Sequence, residues 1–187
     1  MAENEISTEL KQPMELGEVF AKSGMFPDVK TQAQAVVKIM AGRELGLSAF
    51  QSMSSIYIVN GRLALVAQAM AGLVNKSKQY KYIIKSLADD GCVMDIMKDD
   101  VLVGTSSFTA KDAAKAGLIN KDNYKNYPRN MMFARALSNA CRWYCPEVIQ
   151  GYYTIEELQD LNEEIIPAKT TVAIDVNAEV ADGQKTS

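Results

Sequence analysis

From Thr31 to Leu45 the apolar positions Ala33, Val36, Val37, Met40, Ala41 and Leu45 recur at three- and four-residue spacing, which predicts an amphipathic helix. Gly46 stands where a left-handed C-terminal cap belongs, and Lys38, Arg43 and Glu44 are expected on the polar side. Ser48 to Ser54 reads as a short second helix. The period then changes to two. SIYIV and RLALV flank Asn60-Gly61, a dipeptide that accepts the positive φ angles of a type I′ turn, so residues 55–66 predict a hairpin. Its alternation sets Ile56 and Ile58 on one face and Tyr57 and Val59 on the other, before VAQAMAGLVN turns helical.

Three β-leaning runs follow, YKYIIKSLA, GCVMDIMK and VLVGTSSFT, separated by Asp89-Asp90-Gly91 and Asp99-Asp100. This is the pattern of an antiparallel meander with one wet face, on which Lys81, Lys85, Asp95 and Lys98 are expected. The Asp pairs fall at turns, where Asp bonds its own backbone, and are read as turn residues rather than metal or nuclease ligands. Thr109 and Asp112 form a capping-box-like start to the helix KDAAKA, closed by Gly117. A longer helix is predicted from Pro128 to Pro146, with Met131, Ala134, Leu137, Ala140 and Cys141 on its apolar side. Arg135 and Arg142, seven apart with Asn139 between, form a polar stripe along the same helix. Thr154-Ile-Glu-Glu157 starts a last short helix by the same capping logic.

These elements predict an α+β fold, with an antiparallel hairpin and a small sheet flanked by helices. The 187 residues suit one core domain, expected over 14–166. Residues 1–13 and the acidic segment 167–187 lack a sustained apolar period and are expected to be flexible tails. No run approaches the ~18 apolar residues of a membrane helix, and no signal segment is evident, so a cytoplasmic protein without membrane contact is expected.

Histidine is absent, which excludes a Ser-His-Asp or Cys-His catalytic pair and a His-ligated zinc. Cys92, Cys141 and Cys145 are read as small buried thiols. There is no phosphate-cradling G-x-x-x-x-G-K-[ST] or G-x-G-x-x-G run. Net charge is −3, but its distribution is uneven. Residues 1–18 carry five Glu and one Lys, 156–187 carry eight acidic residues and two Lys, and 19–155 carry 17 basic and 10 acidic residues. Within 111–142 seven cations are mixed with Tyr124 and Tyr127 and adjoin Trp143, a composition suited to a nucleic-acid strand.

The ordered blocks AGRELGL, IVNGR, FTAKDAAKAGL, YPRNMMFARALSNACR and PEVIQGYYTIEEL, between residues 41 and 158, together resemble phage and prophage RecT-type recombinases. The similarity runs from about residue 20 to residue 158. It implies a RecT-like annealing-protein core that binds single-stranded DNA as a homo-oligomer and pairs it with a complementary strand without ATP. The roles implied are DNA recombination and repair, with single-stranded DNA and annealed duplex as partners. A phage exonuclease or a host single-strand-binding protein would work beside it.

No catalytic residue, metal site or cofactor is expected, and an Mg2+ effect on DNA binding is left open. Of the phosphate contacts, Arg62, Lys111, Lys115 and Arg135 fall inside matching blocks. Lys121, Lys125 and Arg142 rest on charge, and Lys38, Arg43 and Arg129 complete the set. Tyr124 and Tyr127 are the stacking candidates. The resemblance also implies a basic DNA-binding groove, for which the acidic tails are expected to compete with DNA. The alternative function is a phage-encoded interaction or inhibitor protein that binds a host protein on the same fold.

Overall fold

The computed structural model describes residues 2–161. The chain opens with three helices, α1 (Ala2–Ser23), α2 (Gln32–Glu44) and α3 (Ala49–Ser55). Both α2 and α3 begin at full capping boxes, in which the Thr31 and Ser48 hydroxyls accept from the Gln34 and Gln51 amides and the two glutamine side chains reach back. Residues 2–13, expected as part of a flexible tail, form the first half of α1 instead. Pro13 and the acidic composition hide this helix in the sequence. It is held by α2, where Gln32 Nε2 donates to the Met14 carbonyl at 2.8 Å and Arg43 Nη2 to Gln12 Oε1 at 2.7 Å.

The buried face of α2 matches expectation at Ala41, as Leu45 just beyond it does, but differs over the preceding turns. Ala35, Lys38, Ile39 and Gly42 point inward, while Val37 is exposed. A Cβ on Gly42 would lie 1.8 Å from Ser52 Oγ, so glycine there is what lets α3 cross α2 at contact distance.

The hairpin forms as predicted. Strands β1 (Ile56–Val59) and β2 (Arg62–Leu65) pair antiparallel around Asn60 and Gly61, whose φ values are 50° and 75°. Helix α4 (Ala67–Lys76) leads to the meander β3 (Tyr80–Ala88), β4 (Gly91–Lys98) and β5 (Val101–Thr109), in spatial order β3-β4-β5. Asp99 and Asp100 take positive φ at the second turn, in keeping with the turn role expected of that pair.

Next come α5 (Ala110–Lys115), α6 (Asp122–Asn126), α7 (Pro128–Tyr144), α8 (Pro146–Ile149), β6 (Tyr153–Thr154) and α9 (Ile155–Leu161). The β6 strand returns to pair parallel with β2, making a second three-stranded sheet, β1-β2-β6. The fold is therefore α+β, with small, mainly antiparallel sheets flanked by helices. Positions 162–187, including the expected acidic tail, lie outside the described residues.

The main core lies between the meander and the helix α7 that crosses it. Cys92, Met94 and Ile96 of β4 face Met132, Ala136, Leu137 and Ala140 of α7 within one cluster. Val29, Ala35, Ile39 and Met53 form a smaller cluster under α1. All three cysteines are buried and unbridged. On the outer sheet face Lys81 pairs with Asp100 and Lys85 with Asp95, as expected of a wet face. Lys98 departs from this. Lying two residues beyond buried Ile96, it shares the core side, opposite Tyr80, with its ammonium 5.0 Å from the Tyr80 ring centre.

Candidate nucleic-acid interface

The cations expected between 111 and 129 gather at one end of the meander. The Thr109 amide donates to Asp112 Oδ2 at 2.9 Å and the Asp112 amide to Thr109 Oγ1 at 3.3 Å, a capping box that starts α5 and leaves Lys111 and Lys115 exposed one turn apart. Bonds to the Thr109 hydroxyl and amide hold the Asp112 carboxyl below its ordinary value.

Two contacts tie this end to the β3–β4 turn. The Ala110 amide donates to the Asp90 carbonyl at 2.8 Å, and Arg129 Nη2 lies 3.2 Å from Asp89 Oδ1. Lys121 occupies the N-cap position of α6, and Lys125 is exposed in its last turn. Tyr127, between α6 and α7, is 63% exposed. Arg129 and Asp89 are both more than half exposed, so their pairing is weak enough for a phosphate to replace the carboxylate. This end thus presents a run of cations with an aromatic ring beside them.

Tyr124 corrects one expectation. At 2% exposure it is packed in the core, because α6 turns that ring toward α7, and it cannot stack on a base.

Lys38 corrects another. Its side chain is fully buried, with Nζ 2.9 and 3.2 Å from the two Asp28 oxygens and 5.7 and 5.1 Å from the ring centres of Phe26 and Tyr57. Burial pushes its ammonium below the ordinary lysine value, and Asp28 opposes that shift. Asp28 also accepts the Ile58 amide at 3.0 Å, so the pair ties the hairpin to the helical end and offers nothing to a phosphate. Arg43 and Arg62 are exposed, on α2 and on the hairpin. Neither element packs substantially against α5 or α6, so these two arginines stand apart from the meander-end cluster.

The arginine stripe of α7 is not an open rail. Both guanidinium groups converge on Glu157, whose side chain is 4% exposed. Arg142 Nη2 donates to both Glu157 oxygens at 2.9 Å, and Arg135 Nη1 lies 3.9 Å from Oε1. Arg135 is 18% exposed over the Phe108 ring, and Arg142 is 39% exposed over the Tyr153 ring at 4.7 Å. The Ser138 hydroxyl and the Thr154 amide also donate to Glu157. This carboxylate is the Thr154 capping partner that the sequence identifies. Its hold on two arginines of another helix is invisible there, because β6 reaches α7 only through the non-local pairing with β2.

Two aromatic side chains outside the expected set are exposed, Tyr153 at 36% and Trp143, which adjoins the cations in sequence, at 58%; nothing in the local pattern marks Tyr153. Among the described residues no group of three Cys, Asp or Glu side chains is arranged to hold a metal, and no helix is long and apolar enough to cross a membrane. No family model, curated protein or solved structure matches the chain.

Proposed function

We propose that this protein binds single-stranded DNA and anneals complementary strands without ATP, in keeping with the resemblance of its sequence blocks to RecT-type recombinases. The observation that carries the reading is the meander end, where Lys111, Lys115, Lys125 and Arg129 are exposed on three consecutive helices with Tyr127 beside them. Cations so placed offset strand charge and release counterions. Contacts confined to phosphate leave base edges free to pair, so sequence is supplied by the DNA itself. Two strands that repel each other in solution are brought together on one cationic surface, and no bond is made or broken.

The test is annealing of two labelled complementary oligonucleotides without ATP, scanned across salt, for the wild type and for Lys111→Glu/Lys115→Glu. Both lysines are exposed on a short surface helix, so the fold should survive. The reading expects salt-sensitive annealing that the double variant loses, and residual single-strand binding by that variant with a salt slope shallower by about 1.4, or ~0.7 per lost phosphate contact. Wild-type protein that neither binds nor anneals strands at any salt would overturn it and favour an interaction protein on the same fold.

A further inference from the structure

We propose that Arg142 and Tyr153 form a stacking platform for a nucleobase of single-stranded DNA, with Glu157 as the residue that positions it. This rests on the single-strand reading above and adds a second contact point, distinct in chemistry from the lysine-rich meander end.

Arg142 lies 4.7 Å from the Tyr153 ring centre, and both side chains remain more than a third exposed. The pair is held from both sides. Tyr153 is fixed on the second sheet by pairing with Ala64, and Arg142 Nη2 is fixed at 2.9 Å from each oxygen of Glu157. Glu157 is itself pinned by the Thr154 amide at 3.2 Å and by the Ser138 hydroxyl, and it is almost fully buried.

The chemistry separates base from phosphate. A phosphate approaching Arg142 would have to compete with a buried carboxylate that already takes its Nη2 donor and is anchored by other groups. A base needs no such exchange, because stacking uses π-faces, which every base has and which arginine and tyrosine both match. It also leaves the Watson–Crick edge free, as annealing requires. Arg135 and Arg142 together bring two positive charges to the single carboxylate of Glu157.

The test compares, by fluorescence anisotropy, an oligothymidine with a chain of equal length and charge in which every nucleotide lacks its base. Wild type should bind the thymidine chain more tightly. Tyr153→Leu and Arg142→Lys should each weaken thymidine binding by about 5- to 150-fold and leave the abasic chain unaffected, whereas Tyr153→Phe should behave as wild type. Glu157→Gln should shrink the thymidine-to-abasic ratio without weakening abasic binding, a change that general loss of fold would not produce. Equal losses on both chains, or an unchanged ratio in Tyr153→Leu, would overturn the platform alone. Wild-type protein that binds neither chain would overturn the single-strand reading and the platform with it.

Discussion

Replacing Lys38 with alanine strands Asp28 as a carboxylate in a site built for an ion pair. Lys38 Nζ is fully enclosed, 2.9 Å from one Asp28 oxygen and 3.2 Å from the other. Removing one partner of a buried pair costs about 3–5 kcal/mol. Asp28 keeps the Ile58 amide at 3.0 Å and its side chain is 12% exposed, so water and one donor soften the loss toward the low end, about 3 kcal/mol. In urea unfolding at neutral pH this appears as a lower midpoint with an unchanged m-value.

The companion variant Lys38→Met/Asp28→Asn removes both charges, keeps the volume and leaves an oxygen for the Ile58 amide. It should recover to within about 1 kcal/mol of wild type. A phosphate-contacting lysine behaves differently: its loss would flatten the salt slope of single-strand binding by about 0.7. Lys38→Met should leave that slope unchanged. An alanine variant as stable as wild type, or a flattened slope in Lys38→Met, would refute the structural assignment of Lys38.

Gly42→Ala places a Cβ 1.8 Å from Ser52 Oγ and 3.2 Å from Ser52 Cα, and should destabilise by about 1–3 kcal/mol in thermal melts, with Gly42→Ala/Ser52→Gly recovering part of the loss. Asp112 has its folded-state value held below the ordinary 3.8 by Thr109, so its contribution is present above that value and fades as pH falls through the folded one. Acid unfolding followed by circular dichroism should therefore show less stability lost below about pH 4 in Asp112→Asn than in wild type. Glu157→Ala leaves Arg142 and Arg135 without their shared carboxylate and should cost about 3 kcal/mol in urea unfolding. Arg129→Ala breaks only an exposed pair with Asp89 and should change stability by less than about 1 kcal/mol in the same assay.

Local rules made most of the elements legible. The two-residue alternation and the Asn60-Gly61 turn specify the hairpin, and the three β-leaning runs between Asp-rich turns specify the meander with its strand order. The capping residues Thr109 and Thr154 mark helix starts in the sequence because their hydroxyls satisfy amides that no helical carbonyl can reach, and the structure adds the same device at Thr31 and Ser48. What escapes is whatever depends on a distant partner. The α1 helix is stabilised by α2 rather than by its own composition, and the β2–β6 pairing joins residues about ninety positions apart.

The same division explains the candidate site. Lys111, Lys115 and Lys125 sit on short exposed helices, where charge and exposure go together, so composition alone locates them. Lys38 obeys the opposite logic. The apolar spacing of α2 allows two neighbouring faces, and the packing chooses the one that carries a lysine because Asp28, ten residues earlier, supplies the counter-charge. Arg135 and Arg142 are correctly placed on one side of α7, yet that side meets α9 and leaves only the Arg142 end substantially exposed, and a single glutamate turns the stripe into a cluster. Glu157 could be flagged as a capping residue but not as a receiver of arginines, since its distance from α7 is set by the parallel β2–β6 pairing. A buried carboxylate that takes the donors of an exposed guanidinium fixes the orientation of its plane beside the Tyr153 ring, and the donors so engaged are the ones a phosphate would need.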